Sequence, residues 1–305
     1  MPPTDEPAPH GTPPAWFTAA LAQEPEVGRV ESNGCEINYL TWGPEGAPGL
    51  VFIHGGAAHA HWWSHLVPHL ADHYRVAALD LSGHGDSGRR DEYLLHDWAD
   101  EVLAVAGAAG MAPEPVVIGH SMGGFVSIGT AARHGKRLRG IVILDSPVSA
   151  PDPEMEAARR GNIFGPLKVY PDVETALTRF RTVPEQDHYL PYVMDHVGRN
   201  SLREVEGGVS WKYDPDIFVP ARSEPRVLLP QVSCRVALFR SEHGLVTPEI
   251  GEYMYDLLGR IAPVVEIPEA GHHLMLDQPL LLLTALRTLL ADWEHSSPIT
   301  WGGST

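Results

Sequence analysis

Cysteine is scarce in this chain, with only Cys35 and Cys234 among 305 residues. Two thiols so far apart, in no metal-type spacing, do not make a disulfide or zinc framework; they suit a reducing compartment and an expected cytoplasmic location. Positive charge is also short: 22 Lys and Arg face 39 Asp and Glu, for a formal net charge of −17. Such a surface repels phosphate backbones and anionic headgroups, so neither nucleic acid nor a membrane is an expected partner. Long hydrophobic runs are missing as well. The richest stretch, 280–290, is broken by Thr284 and Arg287, and no window approaches the ~18 apolar residues that mark a spanning helix. The first 14 residues, MPPTDEPAPHGTPP, hold no apolar segment and no Arg-rich amphipathic run. They read as a flexible, proline-rich leader.

What is present suffices for a packed core: hydrophobic residues make up 43% of the chain and charged residues 20%, unlike a disordered composition. Short β-branched or apolar runs at 50–54, 75–81, 115–119, 140–145, 235–240 and 263–267 alternate with helical periodicity at 62–71, 94–108, 122–134, 248–261 and 279–295. This alternation predicts an α/β fold, a mostly parallel sheet with helices on both faces. Upstream, 28–31 and 36–41 flank Asn33-Gly34, a dipeptide suited to a tight hairpin that would add two antiparallel edge strands. The alternation lapses from Ser146 to about Pro225, a stretch rich in proline and in aromatics such as Phe164, Trp211 and Tyr213. A structureless loop of that length does not fit a compact domain. The expected organisation is a leader at 1–14, an α/β core at 15–146 and 226–305, and a mostly helical cap at 147–225.

The run PVVIGHSMGGF reads strand, then Gly-x-Ser-x-Gly, then helix. Such a turn holds the serine hydroxyl above the sheet, at a helix N-terminus whose unpaired N–H groups favour negative charge on a reacting oxygen. Gly119 and Gly123 flank Ser121 where the bend leaves little room for a Cβ. The five-residue pattern alone occurs by chance in many proteins; the apolar β residues before it make Ser121 the expected nucleophile. An oxyanion formed there needs two backbone donors. Met122 N–H is one. Gly56 N–H, in the loop after GLVFIHGG, is the candidate second, against the plainer reading of His54-Gly55-Gly56 as a flexible turn.

These motifs resemble those of the α/β-hydrolase superfamily over nearly the whole chain after the leader: HGG at 54–56, DLSGHGDS at 80–87, GHSMGG at 119–124 and AGHHLMLDQP at 270–279. The resemblance implies that the 80–87 loop is architectural, so Asp80 and His84 are not assigned to catalysis. That loop commonly carries Arg where Ser82 stands, a departure to which no function is attached. The resemblance also marks His272, directly after Gly271, as general base; its neighbour His273 is read as packing or supporting it, and His120, beside the nucleophile, as pointing to the other side of the elbow into the core. A neutral imidazole suits that duty because it titrates near working pH.

The third group is a carboxylate that fixes the imidazole tautomer. Relatives most often supply it after the strand before the last. Here that segment reads VALFRSEHGLVTPE, Gly244 falls where the Asp belongs, and Glu242 comes two residues early. A second location follows the strand GIVILDSP. A helix of about 13 residues and a strand of about six each run roughly 20 Å, so Asp145 returns to the sheet edge that holds Ser121. Some similar enzymes, including certain lactonases and an amide-cleaving hydrolase of vitamin B6 breakdown, carry their acid there. Asp145 is preferred to Glu242, with a turn role before Ser146-Pro147 as its alternative.

The expected reaction is acyl transfer to water through an acyl-enzyme on Ser121, with no metal or organic cofactor required. The expected substrate is a small, largely apolar carboxylic ester or lactone, with Trp62, Trp63, Trp211 and Tyr213 as candidate pocket walls. C–C bond hydrolysis, amide hydrolysis, cofactor-free oxygen chemistry and a non-catalytic ligand-binding homologue stay open on the same scaffold. Epoxide and haloalkane hydrolysis are disfavoured, because similar enzymes of those types use Asp where Ser121 stands. Nothing in the sequence sets the oligomeric state.

Overall fold

The computed structural model describes residues 12–150, 167–218 and 225–296. Residues 1–11 of the expected leader, 151–166 and 219–224 of the expected cap, Phe164 among them, and 297–305 lie outside the described residues.

The strands are β1 (Glu26–Ser32), β2 (Cys35–Trp42), β3 (Gly49–Ile53), β4 (Arg75–Leu79), β5 (Val116–His120), β6 (Gly140–Leu144), β7 (Leu202–Val205), β8 (Gly208–Trp211), β9 (Arg235–His243) and β10 (Val264–Gly271). One sheet runs β1-β2-β4-β3-β5-β6-β9-β10, and β7 pairs with β8. The β1–β2 hairpin turns on Asn33 and Gly34 at φ 48° and 76°, the positive values that a tight two-residue turn requires. Across the eight-stranded sheet, the pairings of β4-β3-β5-β6-β9-β10 are all parallel.

Parallel strands buried on both faces need apolar side chains at every position. Their alternation then builds two cores. Phe52, Ile118, Leu144 and Phe239 point to one face, against Leu282 and Leu286 of α9 (Pro279–His295) and Phe17 of α1 (Ala15–Leu21). Ile53, Val117, Ile143 and Leu238 point to the other, against Val102 of α2 (Leu95–Ala108) and Val126 of α3 (Met122–His134). No described helix is long and apolar enough to cross a membrane.

Between β6 and β9 the described insertion holds the helices α4 (Val173–Leu177) and α5 (Pro191–Asn200) and, beyond what the sequence suggested, the β7–β8 hairpin. Its strands LREV and GVSW are joined at Glu206-Gly207, with Gly207 at φ 86°. After the hairpin, Lys212 O accepts from Gly85 N–H (2.8 Å) and Asp214 N–H donates to Gly83 O (2.7 Å), pinning the insertion to the 80–87 loop.

Hydrogen bonds hold that loop in place. The Asp80 carboxylate accepts from Ala60 N–H (2.7 Å), Asp86 N–H (2.9 Å) and Asn38 Nδ2 (2.9 Å). Arg90 donates to Ser82 Oγ at 3.1 Å and pairs with the wholly buried Glu101. The helix expected over 62–71 is instead two 3-10 turns, Ala60–Trp62 and Val67–Leu70. Pro68 lacks the N–H that would carry an α-helix through this stretch. Among the described residues the remaining α-helices are α6 (Pro225–Leu228), α7 (Pro248–Leu257) and α8 (Leu274–Asp277).

Candidate active site

Ser121 follows β5 directly and adopts φ 53°, ψ −118°, a strained backbone for a residue with a side chain. Packing forces it. A Cβ on Gly119 would stand 2.1 Å from Gly123 O, and one on Gly123 would stand 2.5 Å from Ile53 O, so only glycines let β5, α3 and β3 close on each other. Ser121 is the N-cap of α3 yet makes no side-chain capping bond. Its hydroxyl is thereby left for other chemistry, and Met122 N–H lies in the first helical turn, where backbone donors lack intrahelical partners.

The sheet ladder carries the next residue into place. Ser121 N–H donates to Leu144 O (3.0 Å), and Asp145 N–H, one strand over, donates to Phe239 O (2.8 Å). Asp145 has no solvent exposure. Its carboxylate accepts from Leu245 N–H (2.7 Å), Ser241 N–H (3.2 Å), Val246 N–H (3.2 Å) and His272 Nδ1 (2.7 Å). Four donors compensate the desolvation of a buried anion. The bond to Asp145 puts the His272 proton on Nδ1, leaving Nε2 with a lone pair, buried and without a hydrogen-bond partner. Glu242, the other candidate acid, is exposed and accepts from Glu269 N–H at 2.8 Å. The geometry brings Asp145 to His272 and leaves Glu242 apart.

The loop after β3 is held from below by His54. Its Nε2 accepts from Leu81 N–H (3.1 Å), so Nδ1 carries the proton and donates to Gly55 O at 2.7 Å. Ala58 N–H also donates to Gly55 O, at 3.2 Å. A trans peptide sends its N–H opposite its C=O, so fixing Gly55 O turns Gly56 N–H away from His54. A Cβ on Gly55 would lie 3.3 Å from Ser121 Cβ, which places this loop against the serine.

The loop carrying His272 is clamped by the insertion, a feature the sequence did not reveal. Gln186 Oε1 accepts from His273 N–H (2.8 Å), and its Nε2 donates to Asp277 Oδ2 (2.9 Å), which also accepts from Gly271 N–H (2.6 Å). His120 is buried as expected, and its Nε2–H donates to His272 O at 2.8 Å. Burial pushes the imidazoles of His54 and His120 down and that of His273 down to about 3, so these three are neutral supports.

Of the candidate wall residues, Trp62 has its ring 5.4 Å from that of His273. Trp63 has no exposure and packs on Phe52 at 5.2 Å; it is a core residue rather than the expected wall residue. Trp211 packs within the insertion, edge-on to Tyr170 at 5.6 Å and tilted against Phe180 at 5.7 Å. Tyr213 is half-buried and forms a backbone bridge to His84.

A profile of the Alpha/beta hydrolase family matches residues 50–285. The chain belongs to that family and is a hydrolase. It is 26% identical over 273 residues to esterase Rv0045c of Mycobacterium tuberculosis, covering 87% of this chain and 89% of that one. It is likewise 26% identical over 235 residues to the pimeloyl-acyl-carrier-protein methyl ester esterase of Neisseria meningitidis, covering 75% of this chain and 88% of that one. In fold it matches E-2-(acetamidomethylene)succinate hydrolase with a TM-score of 0.78 at 20% identity, covering 88% of this chain and 100% of that one.

Proposed function

We propose that Ser121, His272 and Asp145 form a catalytic triad that hydrolyses a small, largely apolar carboxylic ester or lactone. The 2.7 Å bond between His272 Nδ1 and the buried Asp145 carboxylate carries the reading. It fixes the tautomer in which Nε2 can accept a proton. His272 takes the Ser121 proton as the hydroxyl attacks the carbonyl. Gly56 and Met122 N–H groups hold the oxyanion, and the imidazolium protonates the leaving group before activating water. The insertion at 147–225 acts as a cap that excludes water, with Trp62, Trp211 and Tyr213 as candidate walls. The esterase names of two relatives that each share 26% identity support an ester over other acyl substrates. The two cysteines are free thiols, which suits the cytoplasm.

A fluorophosphonate probe with a panel of p-nitrophenyl esters of rising chain length and several lactones tests this. The expected outcome is labelling of the native chain, none of Ser121→Ala, and turnover of short acyl chains. Labelling without turnover would transfer the triad to amide or C–C substrates. No labelling at all would favour a binding protein and end the hydrolytic assignment of Ser121.

A further inference from the structure

Three imidazoles meet at the proposed triad, one of them the base itself. His120, His272 and His273 are 1%, 4% and 4% exposed, and one nitrogen of each lies within 4.8 Å of the others. In every ring one nitrogen is committed as a donor to oxygen: His120 Nε2 to His272 O (2.8 Å), His272 Nδ1 to Asp145 Oδ2 (2.7 Å) and His273 Nε2 to Pro184 O (3.1 Å). The second nitrogens, His120 Nδ1, His272 Nε2 and His273 Nδ1, therefore carry lone pairs, and all three are buried with no hydrogen-bond partner. Buried acceptors left unpaired cost free energy. Only His272 Nε2 has a duty in hydrolysis. Imidazoles that donate through one nitrogen to a carboxylate or carbonyl and present the other are arranged as metal-binding histidines are.

We propose that His120, His272 and His273 form a site for one divalent transition ion, with Zn2+ as the probe, and that occupancy silences hydrolysis by taking the lone pair of the base. Neutral imidazoles suit Zn2+, Co2+, Ni2+ and Cu2+, whereas Mg2+ and Ca2+ seek oxygen. Metal–nitrogen bonds of about 2.0–2.1 Å set tetrahedral ligands roughly 3.4 Å apart, so the rings draw together on binding and leave a fourth position to water. Binding does not rest on the triad reading; only the inhibition does.

Calorimetric titration of ZnCl2 into untagged, chelator-treated protein tests the site. The expected result is one ion per chain, bound at least about tenfold more weakly by His273→Gln and about ten- to hundredfold more weakly by Asp145→Asn, which removes the acceptor that orients His272. His243→Gln is the control, since Glu242, His243 and Glu269 form a separate exposed group, and it should bind as the native chain does. No saturable binding to the native chain, or binding abolished by His243→Gln and kept by His273→Gln, overturns the site. The native titration decides this even where His273→Gln fails to fold. Ester turnover or fluorophosphonate labelling should fall at least tenfold at saturating Zn2+ and return with EDTA; undiminished activity of the loaded protein overturns the silencing. A chain that never hydrolyses or labels would refute the triad and leave the calorimetry readable.

Discussion

Asp145 and Gly244 compete for one space: a Cβ on Gly244 would stand 2.3 Å from Asp145 Oδ2. The carboxylate that reaches in from β6 takes its donors from the loop after β9, at Leu245 and Val246. A side chain at 244 would displace it. The missing acid at 244 and the acid at 145 are therefore one structural solution, with the carboxylate entering from the neighbouring strand.

Exchange of the acid separates the two candidates. Asp145→Asn keeps the shape but offers an amide to His272, and we expect kcat to fall by about 10²–10⁴. Glu242→Gln should leave it within about twofold, because Glu242 is exposed and accepts from Glu269 N–H. Steady-state kinetics on one ester substrate checks both, and the reverse ranking would sink the assignment.

Gly244→Ala probes the same contact by volume alone. The added methyl must push the Asp145 carboxylate aside, and displacement of about 1 Å at a catalytic group costs on the order of 10²-fold. We expect kcat to drop by about ten- to hundredfold with the chain still folded. Activity equal to the native chain would show that the loop after β9 yields freely.

The sequence made legible those features that are local in it. Gly119, Ser121 and Gly123 lie within five residues of one another, and the apolar strand before them supplies the context. Asp145 needed only lengths, since a helix and a strand of similar extent bring the chain back to the same edge. Gln186 left no such trace: its contact with His273 spans 87 residues, and no periodicity marks a side chain that acts through a single hydrogen bond. The 62–71 stretch misled because its apolar spacing is helical while Pro68 denies the backbone bond that spacing needs. The β7–β8 hairpin had its signal in Gly207-Gly208, overshadowed by the helical pieces around it.

Removal of the clamp should loosen the base without touching it. Gln186→Ala leaves His273 N–H and the Asp277 carboxylate without their partner, an expected stability loss of about 1–3 kcal/mol. His272 then samples other positions, so kcat should fall by about tenfold with little change in KM. Gln186→Glu keeps the acceptor for His273 but sets a second carboxylate against Asp277, and should recover less than half of the loss. Equal kcat for Gln186→Ala and the native chain would confine the residue to folding.

Mild acid should destabilise the junction of α5 with the 59–69 loop. There His59 bonds Ser201 Oγ (2.8 Å), His65 bonds Met275 O (2.9 Å) and His196 bonds Ser64 Oγ (2.8 Å). Burial pushes all three imidazoles down, His59 well below its ordinary value, His65 to about 3 and His196 to about 4. Unfolded, each takes a proton at about pH 6.5; folded, each stays neutral to much lower pH. The unfolded chain binds more protons in that window, so stability is full above about pH 6.5 and falls as pH drops toward the folded values. Asp277 acts oppositely, since burial raises its carboxyl to about 6, and from about pH 6 down to 4 the folded chain gains by holding that proton. Three imidazoles outweigh one carboxyl. At about pH 5 each displaced imidazole costs up to about 2 kcal/mol, so the urea midpoint should be clearly lower there than at neutral pH. His196→Gln, which keeps a polar partner for Ser64 but cannot titrate, should narrow the gap between the two midpoints. Equal midpoints for the native chain at both pH values would show that these imidazoles already take protons in the folded state.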